Sequence, residues 1–132
     1  MKPVRTRVAR PTDRLTEVVA FYRDAIGMTE LGSFQGHAGY DGVMVGWPES
    51  DVHLEFTSHV DGSPCPAPTA DNLLVFYLTD RRAVDALVDR MREHGHAPVA
   101  PENPYWERCS VTFEDPDGWR VVLVDSEALA AR

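Results

Sequence analysis

The alternation of apolar and polar residues divides the chain into strands and helices. An alternating stretch at 4–10 predicts a strand. The apolar residues that follow recur at helical spacing as far as Ile26, with Asp13 expected to cap this helix and Gly27 to end it. Three further strands are predicted at 28–34, 43–47 and 52–58. The first half therefore has the element order β-α-β-β-β.

The second half repeats this order. An apolar strand is predicted at 73–79, and Asp80 is expected to cap a helix that ends at Gly95. Three strands follow at 96–100, 109–114 and 119–125. The two expected caps, Asp13 and Asp80, lie 67 residues apart, which is about half of the chain. Repetition at this spacing predicts a fold built from two similar modules.

A proline-rich segment separates the two halves. Residues 59–72 contain Pro64, Pro66 and Pro68, and such spacing favours a stiff, extended connector. We therefore predict an α+β fold in which 1–132 form a single domain. Its first module spans 3–58, its linker 59–72 and its second module 73–126.

Composition and charge exclude several classes of protein. The net charge of −8 argues against nucleic-acid binding, which needs clustered Lys and Arg. No apolar run approaches the roughly 20 residues of a membrane helix, and the N-terminus lacks an apolar signal region. Two cysteines, Cys65 and Cys109, fit a reducing compartment, so we expect a cytoplasmic protein. The acidic charge indicates either simple solubility or a preference for neutral or cationic ligands.

Two motifs resemble those of the vicinal oxygen chelate superfamily. The first motif is an Asp, a Phe-Tyr pair and a Gly-Met pair at the spacing of that group, here Asp13, Phe21, Tyr22, Gly27 and Met28. The second is an Asp-Pro-Asp-Gly turn at 115–118, just before the last strand. The superfamily includes glyoxalase I, extradiol dioxygenases and fosfomycin- and bleomycin-resistance proteins. The resemblance covers nearly the whole chain. It implies two βαβββ modules whose curled mixed sheets surround a concave cavity, and it implies no particular activity.

The resemblance also implies where the enzymes of the superfamily bind a divalent metal. The four ligand positions fall on Thr6, Glu55, Leu73 and Val122 in this chain. Only Glu55 is a good metal ligand, and a bound metal normally needs three or more protein donors. We therefore expect no metal and no other cofactor.

An alternative is a relocated metal site. His53 and Glu55 share one face of the strand at 52–58, because side chains alternate between faces. A third donor would have to come from a loop, from His37 or from Glu107.

The expected ligand-binding residues are those placed on the cavity wall and in one aromatic loop. They are His53, Glu55, Tyr77, Tyr105, Trp106 and Arg120. Glu55 either forms a structural pair with Arg120 or His53, or contacts a ligand. Without a partner it is the candidate catalytic base.

These residues predict a metal-free protein that binds a small molecule, aromatic or cationic. The alternative is an enzyme of the lyase, isomerase or dioxygenase type that uses a relocated metal, or Glu55 as base. A scaffold without a ligand is the third possibility. Members of the superfamily usually pair, so we expect a homodimer.

Overall fold

The computed structural model describes residues 1–131, which divide into two compact units, one from Met1 to Cys65 and one from Pro66 onward. The α+β prediction is confirmed. The elements of the first unit are β1 (Thr6–Pro11), α1 (Leu15–Val19), a π-helix (Ala20–Ala25), β2 (Thr29–His37), β3 (Tyr40–Gly46) and β4 (Val52–His59). Those of the second unit are β5 (Leu73–Leu78), α2 (Arg81–Glu93), a 3₁₀-helix (Pro104–Glu107), β6 (Ser110–Glu114), β7 (Arg120–Asp125) and α3 (Ser126–Ala130).

The first sheet has four strands in the order β1-β4-β3-β2. β1 runs parallel to β4, with Thr6 opposite Val52, and the other pairs are antiparallel. Paired residues of neighbouring strands point to the same side of a sheet, so this register fixes which side chains share a face.

One face of this sheet packs against the first helical segment, which consists of α1 and the π-helix that follows it. Tyr22 stacks on Phe56 with 4.9 Å between ring centroids, and Leu54 and Val45 are buried beside them. We call this side the Phe56 face. The opposite side carries Glu55 and is called the Glu55 face.

The first helix begins differently from the prediction. Asp13 is not its cap, because no side chain of the described residues caps α1, and the Arg14 N–H just before the helix donates a hydrogen bond to the hydroxyl of Thr12 at 2.9 Å. The Asp13 carboxylate instead accepts one from the N–H of Ser63, in the connector. The acidic side chain therefore anchors the connector to the start of the helix.

The second sheet has three strands in the order β5-β7-β6, with β5 parallel to β7. Asp80 caps α2 as predicted, by accepting a hydrogen bond from Ala83 N at 3.0 Å. Val84 and Met91, on one side of α2, are buried.

One expectation for the second unit was wrong. The strand predicted at 96–100 is reduced to a single bridge between Val99 and Thr112. Pro98 explains the loss, because proline has no N–H to donate to a strand ladder. After β7, the chain forms the short helix α3, which Asp125 caps by accepting a hydrogen bond from Ala128 N at 3.0 Å. No helix in the part of the chain described has the length and apolar character that crossing a membrane requires.

Candidate functional site

The centre of the Glu55 face is an ion pair that the sequence did not predict. Arg7 Nη1 donates to Glu55 Oε1 at 3.2 Å. The Arg7 side chain is 36% exposed and the Glu55 side chain 21% exposed. Arg7 lies opposite His53 in the parallel register, so all three side chains share one face. Glu55 is therefore neutralised by a neighbour on β1.

His53 is held by its own turn. Its Nε2 donates to the carbonyl oxygen of Ser50 at 3.1 Å, which leaves Nδ1 as the acceptor nitrogen. This Nδ1 is buried and has no hydrogen-bond partner within residues 1–131. A Cβ on Gly46, directly opposite, would lie 2.9 Å from the His53 ring, so the glycine leaves room for the imidazole.

The expected metal positions of the first unit do not converge. Thr6 pairs with Val52 and so lies on the Phe56 face, whereas Glu55 lies on the other. The placement of Thr6 beside Glu55 was wrong, because the parallel register puts Arg7 and Ala9 there instead. His37 pairs with Tyr40 at the turn end of the sheet. Tyr40 is four residues along β3 from the partner of Glu55, or roughly 13 Å.

In the second unit, the register places Tyr77 and Arg120, both expected on the cavity wall, on the same side of the sheet as the metal positions Leu73 and Val122. We call this side the Tyr77 face, and it carries Leu73, Val75, Tyr77, Arg120 and Val122. Leu73 and Val122 have no metal-binding atoms in their side chains. Across residues 1–131, no three His, Cys, Asp or Glu side chains are grouped so that they could hold a metal ion.

Arg120 is engaged within its own unit. Its Nε donates to Glu114 at 3.0 Å and its Nη1 to the carbonyl oxygen of Ala100 at 3.0 Å. The side chain is only 14% exposed. Arg120 thus ties β7 to β6 and to the preceding loop, while Glu55 has Arg7 as its partner.

Tyr105 and Trp106 lie in the 3₁₀-helix, at the edge of the Tyr77 face. Asn103 caps this turn by accepting from Tyr105 N at 3.0 Å, and the two rings are nearly perpendicular with centroids 5.0 Å apart. The hydroxyl of Ser110, which shares its face with Tyr77, donates to the carbonyl oxygen of Trp106. Tyr77 is 61% exposed and Tyr105 53% exposed. The face therefore presents aromatic surface beside a polar strand.

Sequence reasoning missed Arg7 and Thr112. Thr112 lies opposite Val122 on the Tyr77 face, is 3% exposed, and has a hydroxyl without a hydrogen-bond partner in the described part of the chain. The alternation in β6 could have indicated Thr112. The alternation in β1 could not indicate Arg7. The register of β1 against β4 decides whether Thr6 or Arg7 lies on the same face as Glu55.

None of these residues lines a cleft of about 360 Å³ that is formed where α1 and the π-helix meet β2 and β3. Its lining includes Arg23, Glu30 and Asp41. Hydrogen bonds to Asp24 and Glu30 raise the pKa of the Arg23 guanidinium above its usual value. Because Arg23 already binds these two carboxylates, we assign the cleft no role.

Comparison with known proteins gives the chain relatives along its whole length. Residues 6–57 match the YycE-like N-terminal domain, and residues 71–125 match the YycE-like C-terminal domain. The uncharacterized protein YycE of Bacillus subtilis is 44% identical over 126 residues, which cover 96% of this chain and 91% of that protein.

Solved structures show the same fold. The structure of a YycE protein of unknown function from Bacillus subtilis has a TM-score of 0.86 at 45% identity, covering 92% of this chain and 88% of that one. TnmS3, an antibiotic binding protein from Streptomyces sp. CB03234, has a TM-score of 0.66 at 25% identity, with 93% and 95% covered. Glyoxalase I of Leishmania major has a TM-score of 0.75 at 19% identity, with 99% and 91% covered, and shows the fold alone. The chain therefore belongs to the YycE-like family, within the vicinal oxygen chelate superfamily.

Proposed function

We propose that this protein binds a small aromatic molecule without the help of a metal ion. The exposed aromatic surface of the Tyr77 face carries the proposal. Tyr77 and Tyr105 each expose more than half of their surface, although aromatic side chains gain most from burial. The buried hydroxyl of Thr112 on the same face could supply a hydrogen bond to a ligand. The relative TnmS3, described as an antibiotic binding protein, supports the same class of function.

The chemistry of the available donors supports binding without a metal. The residues at the superfamily's ligand positions do not fit a divalent ion, because Leu73 and Val122 offer no donor atoms and Thr6 lies on the other face from Glu55. The Glu55 carboxylate is already bound to Arg7. The same pairing counts against Glu55 as a catalytic base, since the carboxylate already accepts a hydrogen bond from Arg7.

Metal analysis tests this part of the proposal. Protein purified without chelators, and again after incubation with excess Ni²⁺, Mn²⁺, Fe²⁺ or Zn²⁺, is expected to hold far less than one metal ion per chain. The Glu55→Ala variant serves as the control. A stoichiometric metal that disappears in this variant would refute the metal-free proposal and favour an enzyme with a relocated site.

Ligand titration tests the binding itself. Phenylacetate, phenylacetamide and phenethylamine share one ring and differ in charge, and tryptophan fluorescence reports their binding near Trp106. We expect saturable binding that Tyr105→Ala and Tyr77→Ala each weaken about tenfold, the effect of losing about 1.4 kcal/mol of aromatic contact. Val60→Ala is the control, because Val60 is 81% exposed and lies beyond the end of β4. If none of the three compounds gives a saturable signal, the proposal is wrong.

A further inference from the structure

One hydroxyl on the Tyr77 face is buried without a partner. Thr112 is 3% exposed, its Oγ1 is closed to solvent, and no group among residues 1–131 forms a hydrogen bond with it. We propose that Thr112 sets the specificity of this face by bonding to a neutral polar group of the aromatic ligand, such as an amide, a carbonyl or a hydroxyl. This inference rests on the proposed function and names the ligand class that it leaves open.

The neighbours of Thr112 along β6 already have partners. Ser110 and Glu114 lie two residues to either side of it, so all three side chains share one face. The Ser110 hydroxyl donates to the carbonyl oxygen of Trp106, and the Glu114 carboxylate accepts from Arg120 at 3.0 Å. Of these three side chains, Thr112 is therefore the one with a polar group left for a ligand.

An unpaired buried hydroxyl makes the unliganded protein less stable. On burial the hydroxyl loses its hydrogen bonds to water, and nothing in the described part of the chain replaces them at Thr112. Valine would fill nearly the same space without this cost, because a methyl group would stand where the hydroxyl is. A ligand group that bonds to Thr112 would recover the lost hydrogen bond, so the unpaired hydroxyl favours ligand binding.

The surroundings of Thr112 favour a neutral group over a charged one. Its partner in β7 is the fully buried Val122, and Val99 forms a bridge with it on the other side. The two charged residues that the register places on this face, Arg120 and Glu114, form an ion pair and offset each other. A charged group would lose its hydration here without gaining a counter-ion, and a neutral group loses far less. A threonine hydroxyl both donates and accepts, so it can bond to an amide, a carbonyl or a hydroxyl.

The aromatic loop can bring the ring of a ligand to the same place. Side chains hold the segment 100–106 to the Tyr77 face at both ends, Arg120 at its first carbonyl oxygen and Ser110 at its last. In the register, Arg120 and Ser110 lie on either side of the level of Thr112. Because side-chain bonds rather than a strand ladder hold the segment, it can shift to admit a ligand. Tyr105, which is 53% exposed, would then contact the ring while Thr112 bonds to the polar group.

The three matched aromatic compounds test this inference. We expect phenylacetamide to bind about tenfold or more tightly than phenylacetate and phenethylamine. Thr112→Val should weaken the binding of phenylacetamide about three- to tenfold, as the loss of one neutral hydrogen bond does, and leave the two charged compounds unchanged. Thr112→Ser keeps a hydroxyl and should retain most of the preference. Thr29→Val makes the same change at an exposed position of the first unit, and it should alter none of the three affinities.

Thermal unfolding gives a second readout that needs no ligand. Because the hydroxyl is unpaired, Thr112→Val should have a Tm equal to or above that of wild type. A Tm well below wild type would show that the folded protein satisfies the hydroxyl, and the role of Thr112 would be refuted while small-molecule binding stands. The role is also refuted if phenylacetamide is not preferred, or if Thr112→Val weakens no compound or all three alike. If none of the compounds binds, both proposals are wrong.

Discussion

Replacing Arg7 and Glu55 by glutamine, singly and together, measures how strongly the two side chains hold each other. At 3.2 Å, Coulomb's law gives about 5 kcal/mol for an effective dielectric constant of 20 and about 1.3 kcal/mol for water. The lower figure is the better guide, because Arg7 is 36% exposed and solvent screens its charge. Measured coupling energies for exposed pairs are roughly 0.2–1 kcal/mol.

We therefore expect a coupling free energy below about 1 kcal/mol from a double-mutant cycle, measured by urea unfolding at ~0.1 M salt. It should shrink further at ~1 M salt, where the screening length falls to about 3 Å. A coupling energy above about 2 kcal/mol that salt does not change would refute the reasoning. Such a value belongs to an ion pair shielded from solvent, and not to one whose arginine is 36% exposed.

Three further changes test the fold around the site. Asp80→Ala removes the hydrogen bond from Ala83 N at the start of α2, so the free energy of unfolding should fall by about 1 kcal/mol and the Tm by about 3–6 °C. Asp89→Ala is the control, and an equal fall in that variant would contradict the capping role of Asp80. Gly42→Ala would push a methyl group into the ring of Phe34, so we expect a loss of about 1–3 kcal/mol, and a variant as stable as wild type in urea would show that the ring moves aside freely. Burial lowers the pKa of His96 below its ordinary 6.5, so the unfolded chain binds more protons below that pH. The free energy of unfolding should therefore decline as the pH drops through about 6.5, and it should decline less in the His96→Gln variant. Identical curves of stability against pH for the two proteins would contradict this.

Local patterns predicted most of the elements. The alternation in β4 correctly separated Leu54 and Phe56 from Glu55, because a strand with one packed face must place every second residue there. Asp80 was recognisable as a cap from its position before an apolar helix. Two failures were also local. Pro98 was given too little weight against a strand, and the first helix starts without the side-chain cap that was expected from Asp13.

The candidate site was harder to predict, because its key contact joins distant strands. Whether Thr6 or Arg7 shares a face with Glu55 depends on the register of β1 against β4, and a shift of one residue exchanges the two. No pattern within 4–10 contains that information. The sequence suggested Arg120 or His53 as the partner of Glu55, while the structure brings Arg7 to it.

The parallel pairing of the first strand of each unit has a consequence for folding. In the described sheets, β1 pairs with β4 alone and β5 with β7 alone. The partner of each of these strands lies some 46 residues further along the chain. Closing a loop of that length costs entropy before any contact is gained, and β2, β3 and β4 can pair through short turns meanwhile. We expect β1 to join its sheet late and its amide hydrogens to exchange sooner than those of β3. The ion pair between Arg7 and Glu55, which joins β1 to β4, would then be among the last contacts of the first unit to form and among the first to open.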